Sequence, residues 1–357
     1  MSNQAPKVSI GLPVYNGEMF LSSALDSLLA QTFTDFELII SDNASTDRTP
    51  EICREYATRD PRIRYVRHDV NGGAPWNFNE AFRMARGEYF KWHAADDLCS
   101  PIFLERCVGV LDADSTIALC YPRTMVVDAE ANPLPDAPGS WKANKTSDAD
   151  VNSDSADSRG LDSPRPSDRI RGILMHTVFC YELFGLVRRE FMARTGLHRD
   201  SSALGKAFLI ELAFQGPIVE VPEVLFFNRR HAQQFTMIAS AEQQRAFDRP
   251  AQKHRGRQWP HHFRCTAIYI GCIWRAPVSI WQRLRSYAAL LRYVLQAGKW
   301  GAIVRSAWRG AGMWNGSIKV AESATKSSPI LSSSPHASDG VVLAGPKVGL
   351  RSPGQVS

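Results

Sequence analysis

The chain has 357 residues, 44% of them hydrophobic and 22% charged, which suits one large α/β domain with appendages or two modest domains. Its seven cysteines are scattered, with no Cys-x-x-Cys or Cys/His ligand spacing, and this excludes a zinc site and a disulfide framework and fits a reducing compartment. The +6 formal charge is unevenly placed: residues 251–310 hold eleven Lys and Arg and no Asp or Glu, so the rest of the chain is net acidic.

Met1 to Lys7 is polar and runs straight into a strand-like stretch, without the charged start and apolar core of a signal peptide. The expectation is a cytoplasmic chain. Val8 to Leu12 reads as a buried strand, and Phe20, Leu21, Ala24, Leu25, Leu28 and Leu29 then recur at helical spacing. Phe36 to Ile40 reads as a second strand, Asp47, Thr49 and Pro50 as a helix start, and Ile63 to Arg67 as a third strand. Pro75 to Arg86 reads as a helix stopped by Gly87, and Glu88 to Trp92 as a fourth strand. This βαβαβαβ pattern predicts a largely parallel sheet with helices on both faces.

Ligands on such sheets bind at the carboxyl ends of the strands, and four polar clusters fall there. They are Pro13 to Gly17, Ser41 to Asp47, His68 to Gly73 and His93 to Asp97. The adjacent carboxylates of Asp96 and Asp97 repel each other unless a cation sits beside them, and a hard divalent ion, Mg²⁺ or Mn²⁺, is the economical partner. A bare Asp-Asp ahead of Pro101 also fits a solvated turn or helix cap. Asp47 reads as a helix N-cap, whereas Asp42, at a strand end, is placed to accept a hydrogen bond from a base or ribose.

Residues 129–168 are rich in Ser, Asp, Pro, Asn and Ala and read as a mobile insert. A second block follows, with a strand-like Phe184 to Val187, a helical Lys206 to Gln215 and an apolar run from Ile218 to Phe227. The first domain is therefore expected over 1–235, a basic Trp-rich helical region over 236–315, and a disordered Ser-, Pro- and Gly-rich tail over 316–357. No stretch is apolar for long enough to span a membrane. Ile280, Leu284, Tyr287, Leu291 and Leu295 share one helical face, with Arg285, Arg292 and Lys299 on one flank and Arg283 on the other. That stripe, with Trp259, Trp274, Trp281, Trp300 and Trp308 nearby, fits either peripheral contact with an anionic membrane at its inner face or packing on the catalytic core. No nucleic-acid-binding motif accompanies the charge, so nucleic acid is not an expected partner.

As a set, these motifs resemble the family 2 glycosyltransferases. They are Pro13-Val14-Tyr15-Asn16, the Ser41 to Asp47 run, Asn71-Gly72-Gly73 followed by Asn77, Ala95-Asp96-Asp97, and Arg229-Arg230-His231. The resemblance covers roughly residues 5–235 and implies a GT-A fold, Rossmann-like and mostly parallel, and sugar transfer with inversion from a nucleotide-sugar to a glycan or lipid-linked acceptor. It places Pro13, Tyr15 and Asp42 around the nucleobase, with Asn16, Asn71, Gly73 and Asn77 in the same donor site. By the same resemblance Asp96 lies by the ribose and diphosphate, Asp97 holds the metal, and His231 reaches the metal or diphosphate.

The chain departs from the family pattern at the general base. The resemblance expects an Asp just before a basic residue at the start of the helix containing Leu209-Ile210-Glu211-Leu212, and Gly205 stands there, followed by Lys206. Glu211 lies about 240° further round the helix and does not substitute simply. Asp200, in the loop five residues earlier, is the candidate base. The competing expectation is a nucleotide-sugar-binding pseudoenzyme or partner subunit. A nicotinamide-dependent oxidoreductase is disfavoured because Gly11-Leu12-Pro13 stands where a G-x-G-x-x-G turn would be.

Overall fold

The computed structural model describes residues 5–141, 159–198, 204–232, 234 and 261–296. Its strands are β1 (Val8–Val14), β2 (Phe36–Asp42), β3 (Ile63–Arg67), β4 (Tyr89–Trp92), β5 (Leu98–Cys99), β6 (Leu119–Val127), β7 (Leu186–Arg188) and β8 (Ile218–Arg229). They form one sheet in the order β3-β2-β1-β4-β7-β6-β8-β5. β1 pairs in parallel with β2 and β4, and β2 with β3, while β7 runs antiparallel to both β4 and β6.

β1 and β2 are buried along their whole length, as expected for strands covered on both faces. On one face lie α1 (Leu21–Leu29), α2 (Thr49–Arg59) and α4 (Phe103–Ala113). Leu21, Leu25, Cys53, Phe103 and Leu104 pack there against Val8, Ile10, Leu12 and Ile40. On the other face lie α3 (Ala74–Arg83), α5 (Pro166–His176), α7 (Leu204–Gln215), α8 (His261–Arg275) and α9 (Ile280–Val294), with the short α6 (Arg189–Ala193) at the rim. α7 carries hardly any amphipathic bias because Phe208, Leu209, Ile210 and Leu212 bury almost all round it, between the sheet and the outer helices.

One boundary differs from the sequence expectation. Residues 129–141, expected within a mobile insert, run back along β6: the Leu134 N–H donates to the Val126 carbonyl at 2.7 Å, and the Trp141 N–H to the Thr124 carbonyl at 2.8 Å. The Arg123 guanidinium stacks 3.9 Å from the Trp141 ring centre, which supplies a cation–π contact the composition does not advertise. Residues 142–158 lie outside the described residues. In the basic helical region, Cys265, Tyr269, Cys272, Ile273 and Leu290 belong to the same buried cluster as α5 and α7. The tail over 316–357 lies outside the described residues.

Parallel β6 and β8 are in register from Leu119↔Ile218 to Pro122↔Val221 and then slip, so that Thr124 faces Phe226 and Val127 faces Arg229. β8 thereby carries three more residues than β6 through the irregular stretch.

Candidate functional site

The chain enters the sheet at β1, steps outward to β2 and β3, and returns on the other side of β1 as β4. The carboxyl ends of β1 and β4 therefore flank a topological switch point, where open α/β sheets bind their ligands. Asn16 turns the chain after β1 in the left-handed region, at φ 51°. Its Oδ1 accepts from the Thr46 N–H at 2.8 Å and its own N–H donates to Ser45 Oγ at 3.0 Å. The turns after β1 and β2 are thus one wall. Pro13 is buried in β1 opposite Ser41, and Tyr15 projects from the wall, about half exposed.

Asp42, which the resemblance sets beside the nucleobase, is fully buried. Its Oδ2 accepts from the Tyr65 hydroxyl at 2.7 Å and its Oδ1 from the Ser45 N–H at 2.8 Å. The carboxylate holds the wall. Asn77 has a similar role: its Nδ2 donates to the Ser41 carbonyl at 2.8 Å, and its Oδ1 accepts from Ser41 Oγ at 2.6 Å. Buried, it clamps β2 to α3 with both of its amide N–H groups donated to main-chain carbonyls. Asn71 Oδ1 accepts from Asn43 Nδ2 at 2.8 Å and from the Gly73 N–H at 2.9 Å. Gly73 then leads into α3 at φ 88°, which a side chain would oppose.

At the end of β4 the two carboxylates take different roles. Asp97 is only 1% exposed. Its Oδ1 accepts from Asn228 Nδ2 at 3.0 Å and from the Arg229 N–H at 2.9 Å. Burial, together with the neighbouring Asp96 charge, pushes its carboxyl well above the usual carboxylate range. Asp96 is 27% exposed, and its Oδ2 lies 2.9 Å from His231 Nε2. The partly exposed pair is therefore Asp96 and His231, with Asp97 buried behind it. Arg229 completes the frame: its Nε donates to the Asp96 carbonyl at 2.8 Å, and its side chain also reaches the Ala129 carbonyl and Ser23 Oγ.

Among the described residues no three His, Cys, Asp or Glu side chains gather as a ready metal cage. One accessible carboxylate beside one imidazole is instead the donor set of a site completed by substrate phosphates and water, the habit of Mg²⁺ and Mn²⁺ rather than of a structural ion. His231 Nδ1 is buried without a partner, and the contact with the Asp96 carboxylate places a ring proton on Nε2, which that nitrogen would give up on binding an ion. The residues fit a divalent cation in that sense, and a cation there would relieve the charge crowding at Asp97.

On the expected base, Asp200 lies outside the described residues. Gly205 has no room for a side chain: a Cβ there would sit 2.5 Å from the Cys180 Cβ and 2.6 Å from its Sγ. The position is packed against the 3₁₀ turn Tyr181–Phe184 and the Cys180 that precedes it. Glu211 is spent on structure, accepting from the Gly196 N–H at 2.7 Å and pairing with Arg275 at 3.4 Å. The loop toward Asp200 starts from a fixed point. His198 exchanges hydrogen bonds with the Asn79 side chain (2.9 and 2.7 Å), and its ring packs 4.6 Å from that of Trp92 at the end of β4.

Beside this rim is a cavity of about 400 Å³, lined by Arg123, Trp141, Phe179, Tyr181, Glu182 and Glu220 among others. Tyr181 joins it to the acidic pair, since its hydroxyl accepts from Arg230 Nη2 at 2.8 Å and lies 3.4 Å from Asn228 Oδ1. Sequence reading singled out His231 but not Asn228, Arg229 or Tyr181 as site residues. The Arg229-Arg230-His231 motif was the available signal for Arg229, whereas a lone Asn or Tyr at the end of an apolar run carries none.

A switch-point crevice walled by the β1 and β2 turns, with a strand-end acidic pair backed by a later strand, defines a GT-A α/β protein. The family model described as glycosyl transferase family 2 matches residues 9–152, and over that segment the chain resembles the family 2 glycosyltransferases. It is 42% identical over 101 residues, 28% of this chain and 29% of the relative, to the uncharacterized glycosyltransferase EpsJ of Bacillus subtilis. It is 34% identical over 129 residues, 36% of this chain and 19% of the relative, to the chondroitin synthase of Escherichia coli. The matches thus span less than a third of either relative. The crystal structure of S. aureus TarS 1-349 in complex with UDP-GlcNAc superposes with a TM-score of 0.54 at 15% identity, covering 81% of this chain and 71% of that one, and it supports the fold.

Proposed function

We propose that the chain is an inverting glycosyltransferase that moves a sugar from a nucleotide-diphosphate sugar to a hydroxyl of a glycan or lipid-linked saccharide, with Mg²⁺ or Mn²⁺ as cofactor. The observation that carries this reading is the accessible Asp96–His231 pair at the switch point, 2.9 Å apart and anchored by Asp97, Asn228 and Arg229. Tyr15 and the Asn16 wall would border the nucleoside, and Asp96 and His231 would hold the ion against the diphosphate. When bound, that ion stabilises the negative charge that develops on the leaving diphosphate. Asp97 fixes the Arg229 main chain, and Arg229 fixes the Asp96 main chain, so the rim is ordered before substrate arrives. The acceptor would enter by the Tyr181 cavity, whose aromatic rings and charged groups suit a polyhydroxylated ligand.

Asp200 is the proposed base, two residues beyond the fixed His198 and within about 7 Å of chain reach from it. The test is a panel of nucleotide-sugars with Mn²⁺, followed by thermal shift and by release of nucleoside diphosphate. A donor at a hundred times its Kd should stabilise the fold by about 2.7 kcal/mol. Failure of every nucleotide-sugar to shift the melting curve would overturn the reading. A second reading, donor binding without transfer, is favoured by Gly205, where packing against Cys180 leaves no space for the family's carboxylate. Normal donor binding with no transfer in Asp200→Asn and in the unmodified protein alike would select it.

A further inference from the structure

The two C-terminal helices each bury one face and leave an apolar stripe uncovered. α8 packs inward through Cys265, Tyr269, Cys272 and Ile273, while Phe263, Ala267, Ile270 and Trp274, spaced i, i+4, i+7 and i+11, face solvent. α9 packs inward through Ser286, Ala289 and Leu290. Its exposed apolar residues, Ile280, Trp281, Leu284 and Leu291, continued by Leu295, lie about 170° round the helix from that buried set at 100° per residue. Apart from Tyr287, which is partly buried against the core, the stripe visible in the sequence is therefore not the face that packs inward.

The two stripes are side by side. The Tyr287 hydroxyl of α9 donates to the Ile270 carbonyl of α8 at 3.3 Å, and the Arg283 guanidinium lies 5.7 Å from the Trp274 ring centre. Trp274 is 68% exposed, Trp281 71% and Leu291 58%. A continuous apolar patch of this kind on a soluble domain marks a docking face. Its edges are cationic, with Arg283 on one flank and Arg285 and Arg292 on the other. The whole 251–310 stretch contains no Asp or Glu. Glu211 of α7 is already paired with Arg275 of α8.

We propose that the α8–α9 face docks on an anionic lipid bilayer, with the apolar stripes in the acyl boundary and the arginines at the headgroups. Charge selects this occupant over a second copy of the chain. A two-fold interface built on the same stripe would bring the arginine edges toward each other with no carboxylate on either helix to meet them. A lipid surface supplies both an apolar layer and phosphate anions. No helix among the described residues is long and apolar enough to cross a membrane.

The test is sedimentation of the full chain with vesicles of phosphatidylcholine alone or mixed with phosphatidylglycerol, at low and high salt. The expected result is binding to the mixed vesicles at low salt, at least about tenfold weaker on phosphatidylcholine alone or at high salt. The exposed double variant Trp281→Ser, Leu291→Ser should bind at least about tenfold more weakly, with its melting temperature and donor-induced thermal shift unchanged. Absence of binding at low salt overturns the proposal. So does full binding by the double variant, or a lipid-free dimer in analytical ultracentrifugation that the same substitutions dissolve.

Discussion

Asn228, at the end of β8, donates its side-chain amide to both oxygens of Asp97 at the end of β4, at 3.0 and 3.3 Å, across 131 residues of sequence. Removing it leaves a buried carboxylate with the Arg229 N–H as its remaining donor among the described residues. Asn228→Ala is therefore expected to lower unfolding stability by about 1–3 kcal/mol, read from denaturant midpoints at constant slope. An unchanged midpoint would show that the amide does not support Asp97.

The two acids should separate experimentally. Asp96→Ala, at the accessible position, is expected to weaken Mn²⁺-dependent nucleotide-sugar binding at least about tenfold while the melting temperature holds. Asp97→Ala should cost both affinity and stability, because Asn228 and the Arg229 N–H then lose a shared buried acceptor. Calorimetric titration beside thermal unfolding distinguishes them. If Asp97→Ala melts normally and only loses the ion, Asp97 is the direct ligand and Asp96 is not.

Gly205 and Cys180 should be energetically coupled. Gly205→Ala places a methyl group 2.5 Å from the Cys180 Cβ and is expected to destabilise by about 1–3 kcal/mol. Cys180 itself sits at φ 53°, a region that favours glycine, so Cys180→Gly removes both the strain and the obstructing atoms. In that background Gly205→Ala should cost roughly 1 kcal/mol less, a non-additivity that a double-mutant cycle measures directly. Additive effects would mean that the two residues do not touch in solution. Gly205→Asp is expected to destabilise further and to leave transfer unimproved.

Lys91 lies wholly buried in β4, with Phe103 and Phe226 rings 4.2 and 5.2 Å from its ammonium and the Phe184 carbonyl accepting from its Nζ. Burial pulls it down to about 8, against an ordinary value of 10.5. Between those two values the unfolded chain holds more protons than the folded one, so this group makes stability rise with pH through that window. Below pH 8 the buried ammonium is charged in both states and its burial cost is fully present. Lys91→Met is expected to abolish the rise between pH 8 and 10.5 and, at pH 7, to leave stability unchanged or raise it by up to about 2 kcal/mol. A variant that keeps the same pH slope, or loses more than that at pH 7, would contradict the assignment.

The first four strands were legible because buried parallel strands announce themselves as continuous apolar runs ended by polar turns. Val8–Val14, Phe36–Asp42, Ile63–Arg67 and Tyr89–Trp92 fall within a residue or two of the expected spans. The strand-end acids were legible for the same reason. Their division of labour was not, since it depends on Asn228 and Arg229 arriving from a strand whose approach no local pattern encodes. Asp42 and Asn77 drew attention as polar residues at a rim, and only their partners show that both are bonded within the wall. The stripe on α9 read equally well as core or surface. The face that packs inward sets Leu290 among the small Ser286 and Ala289, which carry little weight in a hydrophobic pattern.

The slip between β6 and β8 gives the outer half of the sheet a phase. Because side chains alternate along a strand, the three additional residues of β8 decide which of Asn228 and Arg229 turns its side-chain amide or its main chain toward Asp97. Deleting one residue between Val221 and Leu225 would shift that phase by half a period and exchange the two roles, setting a guanidinium where the amide belongs. The acidic rim would then be miswired by a change in a stretch that touches none of its residues. This predicts that related chains tolerate substitutions in this segment far more readily than changes in its length.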